Sequence, residues 1–340
     1  MNPIHSLPGT VFKLIESSAI AEFATVSAAG VPIDTPTYYF PSDDMATLDV
    51  ATGLSYPAKA ERAHRNPKVG MLIEGDADEP VVSIRGRAAV RDFDVKNNAI
   101  RYISEIGFEG INYGLSWSEA RKAVWYWSRI IIEVMPERIM WWDRPADMDK
   151  APQIWSAPPD HGYPASDPAP AGEISPAAQW PQRPWQEIAA DGLARNIQPH
   201  LTLCDDEGYP LPLRVRRCER SGDRFKLSVP GWVPWAIGGK ATLTFIGLET
   251  FVGNVEADGD TVWFAVERAL PQHPLMLNPA EVFKPSDAVK ARLLARLKAE
   301  TLRRGQPIPE LPEQLPAPTR LAKIRFERFG KSAPTAKGTT

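Results

Sequence analysis

The side chains best suited to chemistry in this sequence lie close together between positions 47 and 74. Thr52 and Ser55 carry hydroxyl groups, and Gly53 between them leaves the backbone unhindered. Lys59 follows with an ammonium group. Hydroxyl donors, backbone N–H groups and an ammonium group that converge on one point suit an anion such as a phosphate. The stretch predicts an anion-binding turn; the alternative is an ordinary connection whose lysine is solvated.

The flanking residues predict the elements that position this turn. Residues 47–51 alternate in polarity, as a half-buried strand does. Pro57 suits the first turn of a helix, which residues 58–65 continue with several basic side chains. Asn66 ends the helix because a residue that precedes proline is disfavoured in the α region. Residues 69–73 then return as an apolar strand, so the predicted order is strand, turn, basic helix, strand.

This order of Thr52, Ser55 and Lys59 before a short helix, an Asn-Pro pair and an apolar strand resembles the pyridoxamine-phosphate oxidase-like family of FMN-binding split β-barrels. The resemblance implies that these side chains, with Gly53 in the same turn, hold the 5′-phosphate of the flavin. The pattern departs from the family at one point. Three residues separate Ser55 from Lys59, where family members often carry Ser-x-Lys or an Arg-Lys pair, and Ala58 stands in place of the arginine.

The resemblance also implies contacts with the flavin ring. Thr37, Tyr38 and Tyr39 fall on a strand that runs along the isoalloxazine in the family, although each tyrosine could instead pack within the barrel. Tyr38 and Arg85 are the nearest polar candidates for catalysis, and no general acid or base is assigned. For Arg85 the competing expectation is a solvated strand face.

Composition and single residue types limit the class of protein. The 340 residues carry a formal net charge of −3, which argues against a general nucleic-acid binder with a basic face. The sequence has no apolar run near the roughly 20 residues that span a bilayer, and its start does not resemble a signal peptide. Cys204 and Cys218 fit two free thiols in a reducing compartment, a disulfide across a hairpin being the alternative. The five histidines lack the spacing of a zinc site. These features predict a cytoplasmic protein without a metal.

The chain divides into two similar halves joined by a proline-rich segment. Residues 1–145 form the predicted flavin-binding barrel, and residues 146–184 are predicted as a linker with extended polyproline character. Residues 185–330 repeat the order of strands and turns of the first half, and residues 331–340 are predicted as a disordered tail. We therefore predict a mainly β, α+β chain with two tandem split β-barrels, the second of them degenerate.

Local patterns predict three further elements. A leucine stripe that ends at Gly305 indicates a helix over residues 285–304, which we assign to the second barrel. Residues 321–329 are predicted as a last strand. Residues 129–142 are predicted as two strands that close the first barrel, with a turn at Pro136.

The second half lacks the anion-binding turn. The segment GWVPWAIGG stands where the first half has the turn and the basic helix, so Trp232 and Trp235 either fill the vacated pocket or line an aromatic substrate site. In the first half, the resemblance implies an aromatic side chain near the flavin at Trp141 or Trp142, sealing of the barrel being the alternative.

The resemblance implies an FMN-dependent oxidoreductase that transfers a hydride at flavin N5. Its reaction partners are expected to be a small organic substrate and NAD(P)H, with O₂ as another acceptor, while the protein supplies position and electrostatics. The family binds FMN between two paired barrels, so this chain forms either an intrachain pseudo-dimer or a homodimer. The alternatives are a deazaflavin, haem with His64 as its ligand, and a non-catalytic module that senses a flavin or another ligand.

Overall fold

The first half of the chain forms a closed antiparallel barrel. The computed structural model describes residues 4–107, 115–175, 183–233, 236–259, 261–272 and 282–332, with side chains up to residue 328. The strands of the first sheet are β1 (Ile20–Val26), β2 (Pro32–Pro41), β3 (Leu48–Gly53), β4 (Lys68–Glu74), β5 (Val81–Arg91), β6 (Arg129–Trp142) and β7 (Gln153–Ser156). Their order is β3-β2-β1-β4-β5-β6-β7, and a further pairing of β3 with β6 closes β1 to β6 into a ring.

One continuous strand, β6, stands in place of the two strands and the Pro136 turn that the sequence predicts. Its 14 residues pair with both β3 and β5. The register shifts between Arg85 and Gly86, so that Gly86 lies opposite Pro136. Proline lacks an N–H and is tolerated at such a bulge, whereas a Cβ at Gly86 would lie 2.6 Å from the carbonyl oxygen of Met135. This bulge accommodates the proline without a turn, so the predicted turn at Pro136 is wrong.

The second half repeats the strand order of the first. Its strands are β8 (His200–Cys204), β9 (Pro210–Arg214), β10 (Arg217–Ser221), β11 (Arg224–Ser228), β12 (Gly238–Phe245), β13 (Glu249–Asp258) and β14 (Thr261–Ala269). The order β2-β1-β4-β5-β6-β3 recurs as β9-β8-β12-β13-β14-β11, with β10 added at one edge. No pairing between β9 and β11 closes the described part of this sheet. The duplication and the α+β fold class are confirmed, and the second barrel is an open one.

Helices cover the first barrel more than the sequence predicts. The described α-helices are α1 (Gly9–Ser17), α2 (Ala58–Arg65), α3 (Val95–Ile106), α4 (Trp117–Ala120), α5 (Val124–Trp127), α6 (Trp185–Ala194), α7 (Asp287–Arg303) and α8 (Arg320–Ser332). Leu293 and Leu297 of α7 are buried in the core of the first barrel. The assignment of this helix to the second barrel is therefore wrong, since a leucine stripe does not specify which core it enters. In the described ranges, no helix combines the length and apolar character needed to cross a bilayer.

Helix α8 replaces the strand predicted for residues 321–329. Its buried side chains are Leu321, Ala322 and Arg325, a helical spacing rather than an alternating one. Arg325 Nη1 donates a hydrogen bond to the carbonyl oxygen of Tyr39 at 2.7 Å. The guanidinium also stacks over the Tyr39 ring. Helix α8 therefore packs against the end of β2 and stabilises it.

The proline-rich segment lies along the first barrel. Residues 153–156 add β7 to the sheet, a strand that the sequence does not predict. Asp167 Oδ2 accepts hydrogen bonds from the backbone N–H groups of Asp92 at 2.9 Å and Phe93 at 3.1 Å. The described part of the segment is thus fixed to the barrel and is not a free spacer. Of the predicted disordered tail, residues 333–340 lie outside the described residues, and the proposed domain boundaries stay a prediction.

The two sheets pack against each other through β8, β9 and β12 of the second half and β1, β2 and β4 of the first. Gly70 of β4 lies against the backbone of Pro210 of β9. A Cβ at Gly70 would lie 1.7 Å from the carbonyl oxygen of Pro210. Gly247 has a similar role after β12, where a Cβ would lie 2.5 Å from Pro36 Cδ. These two glycines allow the halves to meet at backbone distance.

Candidate functional site

The predicted anion-binding turn connects β3 to α2. Tyr56 N–H donates a hydrogen bond to the Gly53 carbonyl oxygen at 2.9 Å, which closes the turn. Thr52 Oγ1 donates to the Tyr56 carbonyl oxygen at 3.5 Å. Helix α2 then begins after Pro57 with no side-chain cap on its first N–H groups. The turn therefore presents a helix N-terminus, which favours an anion.

Ser55 is the buried polar side chain of this turn. It is only 1% exposed, and its Oγ has no hydrogen-bond partner among the described residues. A buried hydroxyl without a partner costs about 1–3 kcal/mol, so such groups are normally satisfied. This orphaned hydroxyl fits a site that a polar ligand completes.

Lys59 supplies a cation at the start of α2. Its Nζ lies 5.7 Å from the centroid of the Phe23 ring, and the described residues include no ion-pair partner for it. Burial and the charge of Arg62 lower the pKa of Lys59 to about 8, although the charges of Asp34 and Glu22 oppose the shift. The lysine is charged at neutral pH and is available to an anion.

Arg129 is a further cation at the turn that the sequence did not indicate. It lies opposite Gly53 where β3 pairs with β6, and its Nη1 would be 3.3 Å from a Cβ at that glycine. The guanidinium carbon lies over the rings of both Tyr102 and Tyr126, 4.2 and 4.4 Å from their centroids. Its buried Nε has no hydrogen-bond partner among the described residues. No local pattern could have revealed this residue, because only barrel closure brings β6 beside the turn.

The three predicted residues of β2 point in different directions. Tyr39 is fully buried, and its hydroxyl donates to the Ile15 carbonyl oxygen at 2.8 Å; burial raises the pKa of Tyr39 to about 12. It is a core residue, which the packing alternative anticipated. Thr37 and Tyr38 are half-buried, and Thr37 Oγ1 donates to the Tyr38 carbonyl oxygen at 3.4 Å.

Tyr38 has an electrostatic influence on Tyr126, one of the two tyrosines that contact Arg129. Burial raises the pKa of Tyr126 well above its ordinary value, and the nearby phenols of Tyr102 and Tyr38 raise it further. Tyr38 is therefore close to the aromatic pair that holds Arg129. Its predicted contact with a flavin stays a prediction.

Arg85 is paired with carboxylates, and the expectation of a solvated strand face is wrong. The side chain is buried between the two halves, with Nη1 2.6 Å from Glu207 Oε1 and Nη2 3.4 Å from Glu137 Oε1. Its guanidinium also stacks on the Tyr209 ring at 4.7 Å. The cavity that Arg85 lines has a volume of about 80 Å³, room for a few water molecules and not for a flavin ring. Its charge stabilises the interface.

His64, the residue named for a haem alternative, lies beside a buried network of carboxylates and arginines. Its Nε2 lies 3.6 Å from Asp92 Oδ2, and both side chains are buried. Asp92 also receives Arg304 Nε from α7 at 3.0 Å. The described residues contain no group of His, Cys, Asp and Glu side chains arranged to hold a metal ion.

The candidate tryptophans pack within the fold, and the two cysteines do not form a disulfide. Trp141 lies in the first core. Trp142 Nε1 donates to the Lys150 carbonyl oxygen at 2.8 Å, and its ring packs edge-on against Trp232 with 6.0 Å between centroids. Trp235 lies outside the described residues. Cys204 and Cys218 are both free, and burial raises the pKa of their thiols to about 11 and 12, respectively.

A second group of polar side chains, most of them ionisable and buried, lies where the halves meet. Its members are Glu22, Asp34, Glu74, His200, Thr202 and Arg214. His200 Nδ1 lies 3.2 Å from Glu22 Oε1, and its Nε2 lies 2.8 Å from Glu74 Oε2. Burial raises the pKa of Asp34 well above its ordinary value, as does the charge of Glu22. This cluster joins β1, β2 and β4 to β8 and β9, so it links the halves electrostatically.

Comparison with known proteins finds similarity among solved structures. No family model matches the chain, and no curated protein matches it. The chain is similar to General Stress Protein 26 from Bacillus anthracis, with 19% identity, 44% of this chain and 96% of that one covered, and a TM-score of 0.30. It is also similar to a pyridoxamine 5′-phosphate oxidase-related, FMN binding protein from Nostoc punctiforme, with 13% identity, 36% and 74% coverage, and a TM-score of 0.28.

A third similar structure is described as an F420 reductase, with 16% identity, 41% of this chain and all of that one covered, and a TM-score of 0.31. Each of these likenesses covers less than half of this chain. Proteins of the family that the Thr52–Lys59 turn resembles are thus among the solved structures to which this chain is similar.

Proposed function

We propose that the β3–α2 turn binds the phosphate of FMN and that the protein is an FMN-dependent oxidoreductase acting on a small organic substrate. The observation that carries this proposal is that an orphaned, buried hydroxyl in the turn is followed, four residues later, by a lysine without an ion-pair partner among the described residues. Ser55 Oγ has no partner among the described residues, and Lys59 has no ion pair there. A phosphate monoester satisfies both groups at once, since its oxygens accept charge-assisted hydrogen bonds.

The residues of the turn have separate tasks in this proposal. Ser55 and the first N–H groups of α2 donate to phosphate oxygens, while Lys59 and Arg129 balance the negative charge. Tyr38, on β2, the strand that pairs with β3, would orient the flavin. The flavin supplies hydride transfer when it is bound. The second half would serve as the partner barrel within the chain, because its sheet packs on β1, β2 and β4.

A deazaflavin is the second candidate, and one observation favours it. Arg129 adds a cation beside the turn, and Arg296 of α7 adds another by donating to the Ser55 carbonyl oxygen at 2.8 Å. Several cations suit a cofactor with more than one anionic group. Haem is not proposed, since His64 is engaged with Asp92.

Absorption and reduction decide among these functions. The purified protein, before and after reconstitution with FMN, is expected to show flavin bands near about 370 and 450 nm, which are properties of the cofactor. Bleaching of these bands by NADH or NADPH would support an oxidoreductase with a nicotinamide as reaction partner. Bound flavin that neither nicotinamide reduces would support a ligand-sensing module. Binding of a deazaflavin cofactor without binding of FMN would support the deazaflavin as the cofactor.

Lys59→Ala should weaken FMN binding by about 1.5–3 kcal/mol, the size of one charge-assisted hydrogen bond. Riboflavin, which lacks the phosphate, should bind the variant and the wild type equally. The measurement is a fluorescence titration with each ligand. Lys96→Ala removes an exposed lysine on α3 and serves as the matched control. Unchanged FMN affinity in Lys59→Ala would show that Lys59 does not bind the phosphate.

The affinity for FMN should fall as the pH rises through about 8. Burial and Arg62 lower the pKa of Lys59 to about 8 in the free protein, so the lysine is fully charged below this value and becomes neutral above it. Bound phosphate stabilises the ammonium, and the loss of affinity therefore continues up to the higher pKa of the complex. Titrations between about pH 6.5 and 10 test this, with Lys59→Ala as a control that should lack the dependence. The same slope in both proteins would contradict the assignment.

A further inference from the structure

We infer that helix α7 forms one wall of the anion-binding site and that Arg296 makes the site selective for a phosphorylated flavin. The inference rests on the proposed function, because it concerns the phosphate end of the same cofactor. Arg296 is 241 residues away in sequence from the residue that it contacts in the turn. The turn that the sequence indicates is therefore only part of the site, and the C-terminal region supplies the rest.

Helix α7 is anchored to the helix that carries Lys59. Arg303 forms an ion pair with Glu61 of α2. Arg304 Nε lies 3.0 Å from Asp92 Oδ2, and both side chains are 2% exposed. Since Glu61 lies in the first turn of α2, the anchor is two residues from Lys59. These buried contacts hold α7 in a fixed position beside the turn.

Arg296 reaches the turn directly from this helix. Its Nε donates a hydrogen bond to the Ser55 carbonyl oxygen at 2.8 Å. The guanidinium carbon lies 4.9 Å from the centroid of the Tyr56 ring. Burial raises the pKa of Tyr56, and the charges of Arg296 and Arg292 oppose this rise. The positive potential of α7 is thus felt at the turn.

These charges would discriminate between flavins. A phosphate that meets Ser55 Oγ and Lys59 Nζ would lie in the positive potential of Arg296, because that guanidinium is hydrogen-bonded to Ser55 itself. Guanidinium groups bind phosphate oxygens well because their planar donors match the geometry of the oxygens. A flavin without a phosphate gains nothing from this charge. Arg296 should therefore contribute to FMN binding and not to riboflavin binding.

The test compares FMN with riboflavin in fluorescence titrations of the full-length protein. In Arg296→Gln, the dissociation constant for FMN is expected to rise about 10- to 150-fold, the equivalent of one charge-assisted hydrogen bond, with riboflavin affinity unchanged. Arg296→Lys keeps the charge without the planar donors and should give an intermediate value. Lys298→Gln, at an exposed position of the same helix, should bind FMN as the wild type does.

Three results would overturn the inference. FMN affinity of Arg296→Gln equal to that of the wild type would show that the side chain does not reach the ligand. Equal weakening of FMN and riboflavin would show that Arg296 only maintains the shape of the turn. Tighter FMN binding in the variant would show that α7 obstructs the site. Circular dichroism of each variant checks that the fold is retained.

Inorganic phosphate separates a failure of this inference from a failure of the proposed function. If the wild type binds no flavin, the proposed function fails, and thermal unfolding with and without phosphate then tests the anion site alone. Stabilisation by phosphate in the wild type that Arg296→Gln lacks would uphold the role of α7 at an anion site. Equal stabilisation of both proteins, or none in either, would reject that role as well.

Discussion

Gly70→Ala should destabilise the packing of the two halves by about 3 kcal/mol or more, the upper range for overpacking a close contact. The added methyl group would lie 1.7 Å from the carbonyl oxygen of Pro210. This oxygen belongs to the backbone of β9 and cannot rotate away as a side-chain tip can. Relief requires β9 to lift from β4, which disrupts the interface between the sheets. Urea unfolding followed by tryptophan fluorescence should show a lower midpoint.

A control variant at another glycine and a pair of tryptophans at the contact between the halves show whether the effect comes from this contact. Gly162→Ala is the control, because no heavy atom lies within 4 Å of the position of its added methyl group. Trp142 and Trp232 lie in different halves with 6.0 Å between ring centroids, so separation of the halves should shift their emission. An unfolding midpoint for Gly70→Ala equal to that of the wild type would contradict the close packing of β4 and β9.

His200→Ala is expected to reduce the free energy of unfolding by about 3–5 kcal/mol, the usual effect of removing one partner from a buried ion pair. The imidazole lies between Glu22 and Glu74, at 3.2 and 2.8 Å from their carboxylate oxygens. Without it, Arg214, whose Nε is 2.7 Å from Glu74, compensates one of these two carboxylates. Glu22 would remain buried beside Asp34 with its charge uncompensated. Urea unfolding at constant pH measures the loss.

The contribution of His200 should depend on pH with a defined sign. Burial alone would lower the pKa of His200, but hydrogen bonds with Glu22 and Glu74 raise it well above its ordinary value. The resulting stabilisation is complete below the unfolded-state pKa of about 6.5 and is lost as the pH rises through the folded-state pKa. Burial also raises the pKa of Asp34. Its contribution to the free energy of unfolding is therefore also lost as the pH rises. The difference in the free energy of unfolding between wild type and His200→Ala should therefore be larger near pH 6 than near pH 9. The change should correspond to the titration of one group.

An exposed ion pair provides the control for this effect. Arg217 Nε lies 2.6 Å from Glu219 Oε1 on the outer strand β10, and both side chains are more than half exposed. Arg217→Ala should therefore change the free energy of unfolding by less than about 1 kcal/mol, with little dependence on pH. If His200→Ala were as mild as this control, the buried cluster would not hold the halves together.

Local sequence signals predicted the elements around the site because the forces that form them are local. The alternating stretch at residues 47–51 became β3, and Asn66 ended α2 in an extended conformation, with φ −137° and ψ 105°, as the steric effect of the following proline requires. The strand order of the second half also followed from repeated turn and strand patterns. These features depend on neighbours in the chain, so the sequence carries them directly.

The predictions that were wrong concern contacts between residues far apart in the sequence. Helix α7 has an apolar stripe that any core could bury, and the first barrel is the one that receives it. Pro136 is an acceptable turn residue, but a bulge opposite Gly86 accommodates it within β6. Arg85 sits on a strand that would be solvated in one barrel alone, and the second half covers it with Glu207. In each case a partner distant in sequence decided the outcome.

The sequence by itself determined that the chain holds two related β-rich halves and that only the first has a hydroxyl- and lysine-bearing turn. Residue types and their spacing contain this information, because hydrogen-bonding capacity and strand alternation are properties of short segments. Only the tertiary structure decided which charges surround the turn. Barrel closure brings Arg129 beside Gly53, and the packing of α7 brings Arg296 to Ser55. Long-range packing fixes such neighbours, since side chains far apart in sequence meet only when the barrel has closed around a common core.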